Sequence, residues 1–310
     1  MIAASTRPTQ IIDAGGLARR VRHNPKVVAG TLLLGFFMLA TIAHPILHAT
    51  LWSDLPSIYL PLVGYDPAIS HPSGATPAHL LGTDALGRDV LSLLTYALRS
   101  SLLVALTVAL VVGVLCLLSG SLSAYYRGRV DTFLSYFGEA LSLFPPAIAL
   151  IIVGLGRPDF GPVTIALIYG VLFGLGPAAT VVRSRALTVM AKPFIEASQV
   201  AGAGPRRIIL SHLLPDLFPF AAVQTMAAVT GALIAQALVE FLSPAGGKVG
   251  LGSLVYLGLT FRGLVSLEVP WTQLLAGALS ISLLAGSFYM MSVGLRESAD
   301  PRLSHRYGQA

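Results

Sequence analysis

Charge is what this sequence has least of. Only 11% of its 310 residues are Asp, Glu, Lys or Arg, against about 25% in a soluble domain. So little charge excludes a chain whose whole surface faces water. Cysteine is nearly absent too: Cys116 stands alone inside an apolar run, so no internal disulfide and no paired-cysteine metal site can form. A packed thiol is the reading. No G-x-x-x-x-G-K-[ST] phosphate loop occurs, and "AGGKVG" has the lysine but neither the spacing nor the hydroxyl, so the chain lacks that means of hydrolysing a nucleotide. H-E-x-x-H and G-x-S-x-G are also missing, which argues against an intramembrane enzyme. The seven histidines (His23, His44, His48, His71, His79, His212 and His305) are scattered over loops and span ends. Four of them fall in or near one loop, where a metal site is the sharper reading and solvated side chains the expected one; no metal ligand is assigned.

What the chain has instead is apolar length: 55% of it is hydrophobic. Six runs can each cross about 30 Å of hydrocarbon as a helix: Val27 to Leu47, Ser100 to Ala124, Phe133 to Val153, Pro162 to Val182, Leu217 to Leu242 and Trp271 to Gly294. The expected fold is therefore all-α and polytopic, with six transmembrane helices. "RRVRHNPK" before the first run resembles the start of a secretory signal, yet the run is long and no small-x-small cleavage site follows, so it reads as a retained helix.

The net charge of +6 raises the possibility of nucleic acid, but the basic residues form no single patch. With the amino terminus inside, cytoplasmic segments hold Arg7, Arg19, Arg20, Arg22, Lys26, Arg127, Arg129, Arg183, Arg185, Lys192, Arg206, Arg207, Arg296, Arg302 and Arg306. The outer segments hold Arg88, Arg157, Lys248 and Arg262, with Arg99 near a span end. The positive-inside rule then puts both termini in the cytoplasm, and nucleic acid drops out as a partner.

Three non-spanning segments remain. The first outer loop is Pro-rich and turns amphipathic at "LGTDALGRDVLSLL", where Thr83 or Asp84 can cap a helix whose Val90, Leu91, Leu93 and Leu94 face the membrane interface. The last, with "VGLGSLVYLGLT", is too short to span and reads as re-entrant or interfacial. The third, "KPFIEASQVAGAGPRRIILSHLLP" from Lys192 to Pro215, is cytoplasmic. Pro193 opens a helix, Gly202 and Gly204 break it, Pro205 opens another, and Pro215 marks its end or a kink. Helices this short need something to pack on, either the protein's own spans or a partner.

The spacing in this loop resembles that of permeases of bacterial ABC importers: Glu196, Ala197, Ser198, then Gly202, then His212, Leu213, Leu214 and Pro215. His212 at its position, the "LGTDALGRDVLS" motif, Pro145 and Pro146 after Glu139, and "GLRESADPR" are similar to the oligopeptide, dipeptide and nickel branch, second permease subunit type. The resemblance covers roughly Leu80 to Arg302. It departs at "VEFLSPAGGKVGLG", where Glu240 stands in place of a serine, and at Leu175 and Thr180 in the fourth span.

The resemblance implies a type I importer permease in the bacterial cytoplasmic (inner) membrane. Its partners would be a homologous second permease, two ATP-binding subunits and an extracytoplasmic substrate-binding protein, besides membrane lipid. ATP and magnesium would sit on the partners, with no cofactor in this chain. The implied organisation is a cytoplasmic segment at 1–26, a first span at 27–47, an outer loop with interfacial helix at 48–99, a five-helix transmembrane domain at 100–294 containing a coupling loop at 183–216, and a tail at 295–310. Coupling would fall to Glu196, Ala197, Ser198, Gly202, Arg206, Arg207 and His212. Glu196 would meet a partner's basic residue, and Ala197 and Ser198 would keep the surface flat.

Two acids in apolar runs, Glu139 and Glu240, invite a functional reading. As a proton relay they would make the chain an ATP-independent secondary transporter, but no third buried partner or inverted repeat accompanies them. Glu240 lies near the outer interface, where hydration is expected. Pro145 and Pro146 should kink the third span, and Glu139, Phe144, Pro145, Pro146, Gln224 and Gln236 are the candidate route-lining residues. Peptides, nickel or metal chelates, glutathione and oligosaccharides all stay open as cargo.

Overall fold

In lipid, a helix satisfies every backbone polar group within its own segment, and the apolar runs all take that form. The structure is a computed structural model that describes residues 14–50, 58–69, 71–156, 161–242, 249–260 and 271–299. In chain order its helices are α1 Ala14–His23, α2 Pro25–Thr50, α3 Val90–Tyr126, α4 Gly128–Ser142, α5 Pro146–Gly156 and α6 Pro162–Leu175. There follow α7 Pro177–Met190, α8 Pro193–Val200, α9 Pro205–Ile208, α10 Leu214–Leu242, α11 Leu251–Thr260 and α12 Trp271–Ala299. A π turn at Ile209–Leu213 joins α9 to α10. No strand occurs among the described residues.

Five continuous segments can cross a bilayer, and α4 with α5 makes a sixth, bent by 66°. The bend falls where Pro145 and Pro146 withdraw two backbone donors from the helix ladder. All six expected spans are present, most of them longer than their apolar runs, because a helix continues past the hydrocarbon once its backbone pairing has begun.

The largest extension corrects the reading of 90–99. These residues are the first turns of α3, not a separate interfacial helix. Neither Thr83 nor Asp84 caps it: the cap is Asp89, whose carboxylate accepts from Ser92 N at 2.7 Å. Asp84 is occupied in a turn of its own, accepting from Leu86 N and Arg88 N at 2.9 and 2.8 Å. Val90 and Leu93 face the core rather than lipid.

Six passes place α1, the α3–α4 corner, the α7–α8 link, α9 and the last turn of α12 at one end of the bundle. Contacts agree: Asn24 Nδ2 donates to Gly294 O at 3.2 Å, and Lys26 pairs with Glu297. Loop 58–89 and α11 lie at the other end.

At the centre, α3 packs on α6, α7 and α10, and α10 packs on α12. Lipid is as apolar as leucine, so close packing and interhelical hydrogen bonds must hold these helices, the latter worth about 0.6 kcal/mol on average. Gly120 shows the close packing: a Cβ there would stand 2.7 Å from Val182 Cγ1 and 2.9 Å from Arg183 N. Ser292 Oγ donating to Val223 O at 3.1 Å and Gln273 Nε2 donating to Leu254 O at 3.1 Å supply the second kind. Leu32, Leu39, Leu106 and Leu110 are exposed around the outside, as a lipid-facing surface requires.

Candidate functional site

Proline and glycine build the helix pair at the first end. Pro193 takes the first position of α8, behind an extended Lys192, where its missing N–H costs nothing. The helix stops in a Schellman turn: Ala203 N donates to Ser198 O at 3.0 Å and Gly202 N to Gln199 O at 2.9 Å. That turn needs a left-handed residue, and Gly202 supplies it with φ +80. Gly204 then caps α9, and Pro205 opens it. The second helix does not end at Pro215. It widens through the π turn and runs on into α10, because a proline four residues along clashes with a regular ladder and a π turn gives the freed carbonyls room.

One face of the pair packs on the protein's own spans. Ile195 is 1% exposed, and Ile208 and Leu213 are fully buried. Lys192 Nζ meets Asp216 Oδ2 at 3.1 Å. The Phe194 ring stands edge-on to His212 at 6.0 Å between centroids. His212 thus supports the pair from within, apart from the other expected coupling residues.

The opposite face is open. Glu196, Ala197, Gln199, Val200, Gly202, Arg206 and Arg207 are exposed, and Ser198 is half-buried. Val200 is 90% exposed, an extreme value for an apolar side chain outside the bundle. Among the described residues no ion pair is made by Glu196, Arg206 or Arg207. Glu196 lies in the first turn of α8, where the helix dipole favours an acid. The site is a short rigid knob of about two turns, apolar at Val200 and flanked by unpaired charges of both signs. Sequence reasoning passed over Val200, although it stands four residues after Glu196 on the same helical face.

The route candidates divide. Glu139, Phe144 and Pro145 are exposed at the elbow between α4 and α5, and Pro146 is half-buried. Phe133, Tyr136 and Leu143 are exposed around them. Gln224 is half-buried on α10. Gln236 is buried inside the bundle: it is 1% exposed, and its Nε2 donates to Glu240 Oε1 at 2.7 Å. Glu240 is correspondingly not held by water alone, since its other oxygen accepts from Gly252 N at 3.1 Å, at the start of α11. Burial of both partners explains the difference: a carboxylate inside a bundle takes protein donors in place of solvent.

The loop histidines also depart from expectation. His79 is fully buried, with Nδ1 2.8 Å from Asp89 Oδ2 and Nε2 3.2 Å from Asp66 Oδ2. Ser92 Oγ donates to Tyr59 O at 2.6 Å, stitching the loop to α3. Loop 58–89 is therefore a folded cap around a histidine. His71 bonds to Thr83 Oγ1 and to Asp66 O; the side chains of His44 and His48 lie outside the described residues. Among the described residues no group of three or more His, Cys, Asp or Glu could hold a metal ion.

Six passes, one of them broken, with the α8–α9 pair projecting at one end, are the architecture of a polytopic membrane protein. The family described as "binding-protein-dependent transport system inner membrane component" matches residues 114–304, and the chain belongs to that family. It is 29% identical to the oligopeptide transport system permease protein OppC of Haemophilus influenzae, covering 92% of this chain and 87% of the relative. It is also 29% identical to the dipeptide transport system permease protein DppC of Bacillus subtilis, covering 92% and 84%. To the inner membrane ABC transporter permease protein YejE of Escherichia coli it is 31% identical, covering 74% and 66%. The chain is thus a multi-pass inner-membrane permease component of an ABC transport system, and the knob lies within the matched region.

Proposed function

We propose that this chain is one of two homologous permeases in an ATP-driven importer for peptides or related small solutes, and that α8 and α9 receive the ATP-binding subunits. The observation that carries the reading is the open face of the knob, with Val200 90% exposed and Glu196, Arg206 and Arg207 unpaired among the described residues. Short helices stay folded in water only with tertiary contacts, and here the inward face supplies them while the outward face is left for a partner.

The knob end is cytoplasmic in this reading, and so are both termini. Arg19, Arg20, Arg22, Lys26, Arg127, Arg129, Arg183, Arg185, Lys192, Arg206, Arg207 and Arg296 lie toward it, against Arg88 and Arg99 at the loop end among the described residues. A binding protein delivers solute to the loop end. ATP and magnesium bind the partner subunits, and this chain carries no cofactor. The exposed elbow with Glu139, Phe144, Pro145 and Pro146 faces the second permease, and the route opens alternately to either side between the two. Peptide is the favoured cargo because two of the relatives named above are called oligopeptide and dipeptide permeases. A proton-driven transporter has less support, since Glu240 is tied to Gln236 and Gly252.

Glu196→Lys and Gly202→Asp test the reading. Removing one partner of a buried charge pair costs about 2 to 5 kcal/mol, enough to detach a subunit. The ATP-binding subunits should no longer co-purify, and solute-stimulated ATP hydrolysis should fall, with the permease at normal abundance in the membrane. Wild-type binding and transport in both variants would reduce the knob to a packing element.

A further inference from the structure

The corner between α3 and α4 is built from two consecutive residues of positive φ, Arg127 at 47 and Gly128 at 53. Across it Ser123, in the last turn of α3, donates to Asp131, in the first turn of α4. Arg183 of α7 reaches the same carboxylate as a fork, Nε to Oδ1 at 2.5 Å and Nη2 to Oδ2 at 2.7 Å, and its Nε lies 3.0 Å from Ser123 Oγ. The backbone of α7 can come this close because Gly120 has no side chain at Val182 and Arg183.

Two elements relevant to the proposed function meet at this cluster. α7 runs without a break to Met190, and only Ala191 and Lys192 separate it from α8. α4 leads to the elbow at Pro145 and Pro146. A forked Arg–carboxylate pair fixes orientation as well as distance, so a displacement of α7 turns α4 with it. Lys192 and Asp216 tie the same knob to α10, but through one flexible ammonium.

We infer that Asp131, Arg183 and Ser123 form the transmission link through which movement of the helix pair reaches the broken span, a positioning role that rests on the function proposed above. In this role the groups need no contact with the ATP-binding subunits or the solute; they act through α4.

The test uses the whole importer in proteoliposomes, with Asp131→Asn, Arg183→Lys and the exchanged pair Asp131→Arg with Arg183→Asp. Arg183→Lys keeps the charge and loses the fork, so it is the variant least prone to misfold. Three quantities are read: co-purification of the ATP-binding subunits, solute moved per ATP hydrolysed, and spin-label distances to a fixed site on α12, with and without a trapped nucleotide, from Phe137 and from Ser211, which is exposed in the π turn behind α9 and outside the docking face. The expected result is retained subunit binding, a Ser211 distance that still shifts with nucleotide, a Phe137 distance that no longer does, and a loss of solute moved per ATP of roughly 5- to 150-fold, the usual range of coupling between sites. The exchanged pair should recover part of that loss. Wild-type stoichiometry and a normal Phe137 shift in Arg183→Lys and Asp131→Asn would overturn the link while leaving the docking role of α8 intact. Failure of the wild-type chain to bind ATP-binding subunits at all would instead remove the function on which it rests.

Discussion

Gly202 and Gly204 stand two residues apart in one exposed turn, and the same substitution should treat them differently. A Cβ at either position meets nothing within 4 Å, so neither serine is excluded by space. The backbone decides. Gly202 has φ +80, in the region that costs an L-residue roughly 1–2 kcal/mol. Gly204 has φ −73 and is the N-cap of α9, a position where serine is favoured over glycine. Gly202→Ser should therefore weaken the Schellman turn by roughly 1–2 kcal/mol, equivalent to about a 5- to 30-fold change in a two-state population. Gly204→Ser should be neutral or mildly stabilising. The assay is titration of ATP-binding subunits onto the permease in nanodiscs, with membrane abundance as the control. Gly202→Ser should lose affinity by about the fold-change above, Gly202→Asn should lose less because asparagine tolerates the left-handed region, and Gly204→Ser should match wild type. Equal losses at 202 and 204, or none at either, would refute the claim that turn geometry presents the docking face.

The remaining expectations concern other parts of the chain. In the cap, the Asp66 carboxyl is held below its ordinary 3.8 by the Ala68 N–H and then by His79, while burial holds Asp89 above its ordinary value. A lowered carboxyl stabilises above its unfolded pKa and loses that contribution as pH falls, whereas a raised one acts in the opposite sense; hydrogen exchange at 71–89 should accelerate below about pH 4, and Asp66→Asn should remove that acid limb. Glu240→Ala should leave Gly252 N without its acceptor and Gln236 Nε2 with only Ser100 Oγ at 3.4 Å, at about 1–3 kcal/mol for the orphaned group, and raise the labelling of a cysteine at Ser253; unchanged labelling would mean that Glu240 does not hold α11. Replacing Pro145 and Pro146 together by Ala should straighten the 66° elbow and change transport kinetics in an assembled complex; wild-type kinetics would make the elbow a packing feature.

The spans were legible because lipid removes alternatives: a run without charge for about twenty residues has to be a helix. The elbow was legible for the same kind of reason, since two prolines cannot keep a ladder intact. In the helix pair, the spacing from Glu196 to Gly202 anticipates the turn, because one helix of Pro193–Val200 leaves its left-handed position two residues on, at Gly202. What stayed hidden depends on partners distant in sequence. Asp131 and Arg183 are 52 residues apart, and nothing near either announces the other. His79 reads as a loop histidine until Asp66 and Asp89 close on it from both sides. Distance also hid the burial of Gln236: α3 reaches it, with Ser100 Oγ 3.4 Å from its Nε2, whereas its other partner, Glu240, stands four residues on in its own helix.

The docking face itself can be probed at its most exposed point. In a Cys116→Ser background, Val200→Cys offers a single thiol on α8, 90% exposed in wild type, and Leu106→Cys offers a lipid-facing comparison, 71% exposed. With the ATP-binding subunits co-expressed, a short bifunctional thiol reagent should join position 200 to one of them, with a yield that changes when nucleotide is trapped, and should give no such adduct from position 106. Labelling of position 200 by an impermeant reagent from outside intact cells, or no adduct with the ATP-binding subunits under any nucleotide condition, would contradict the account.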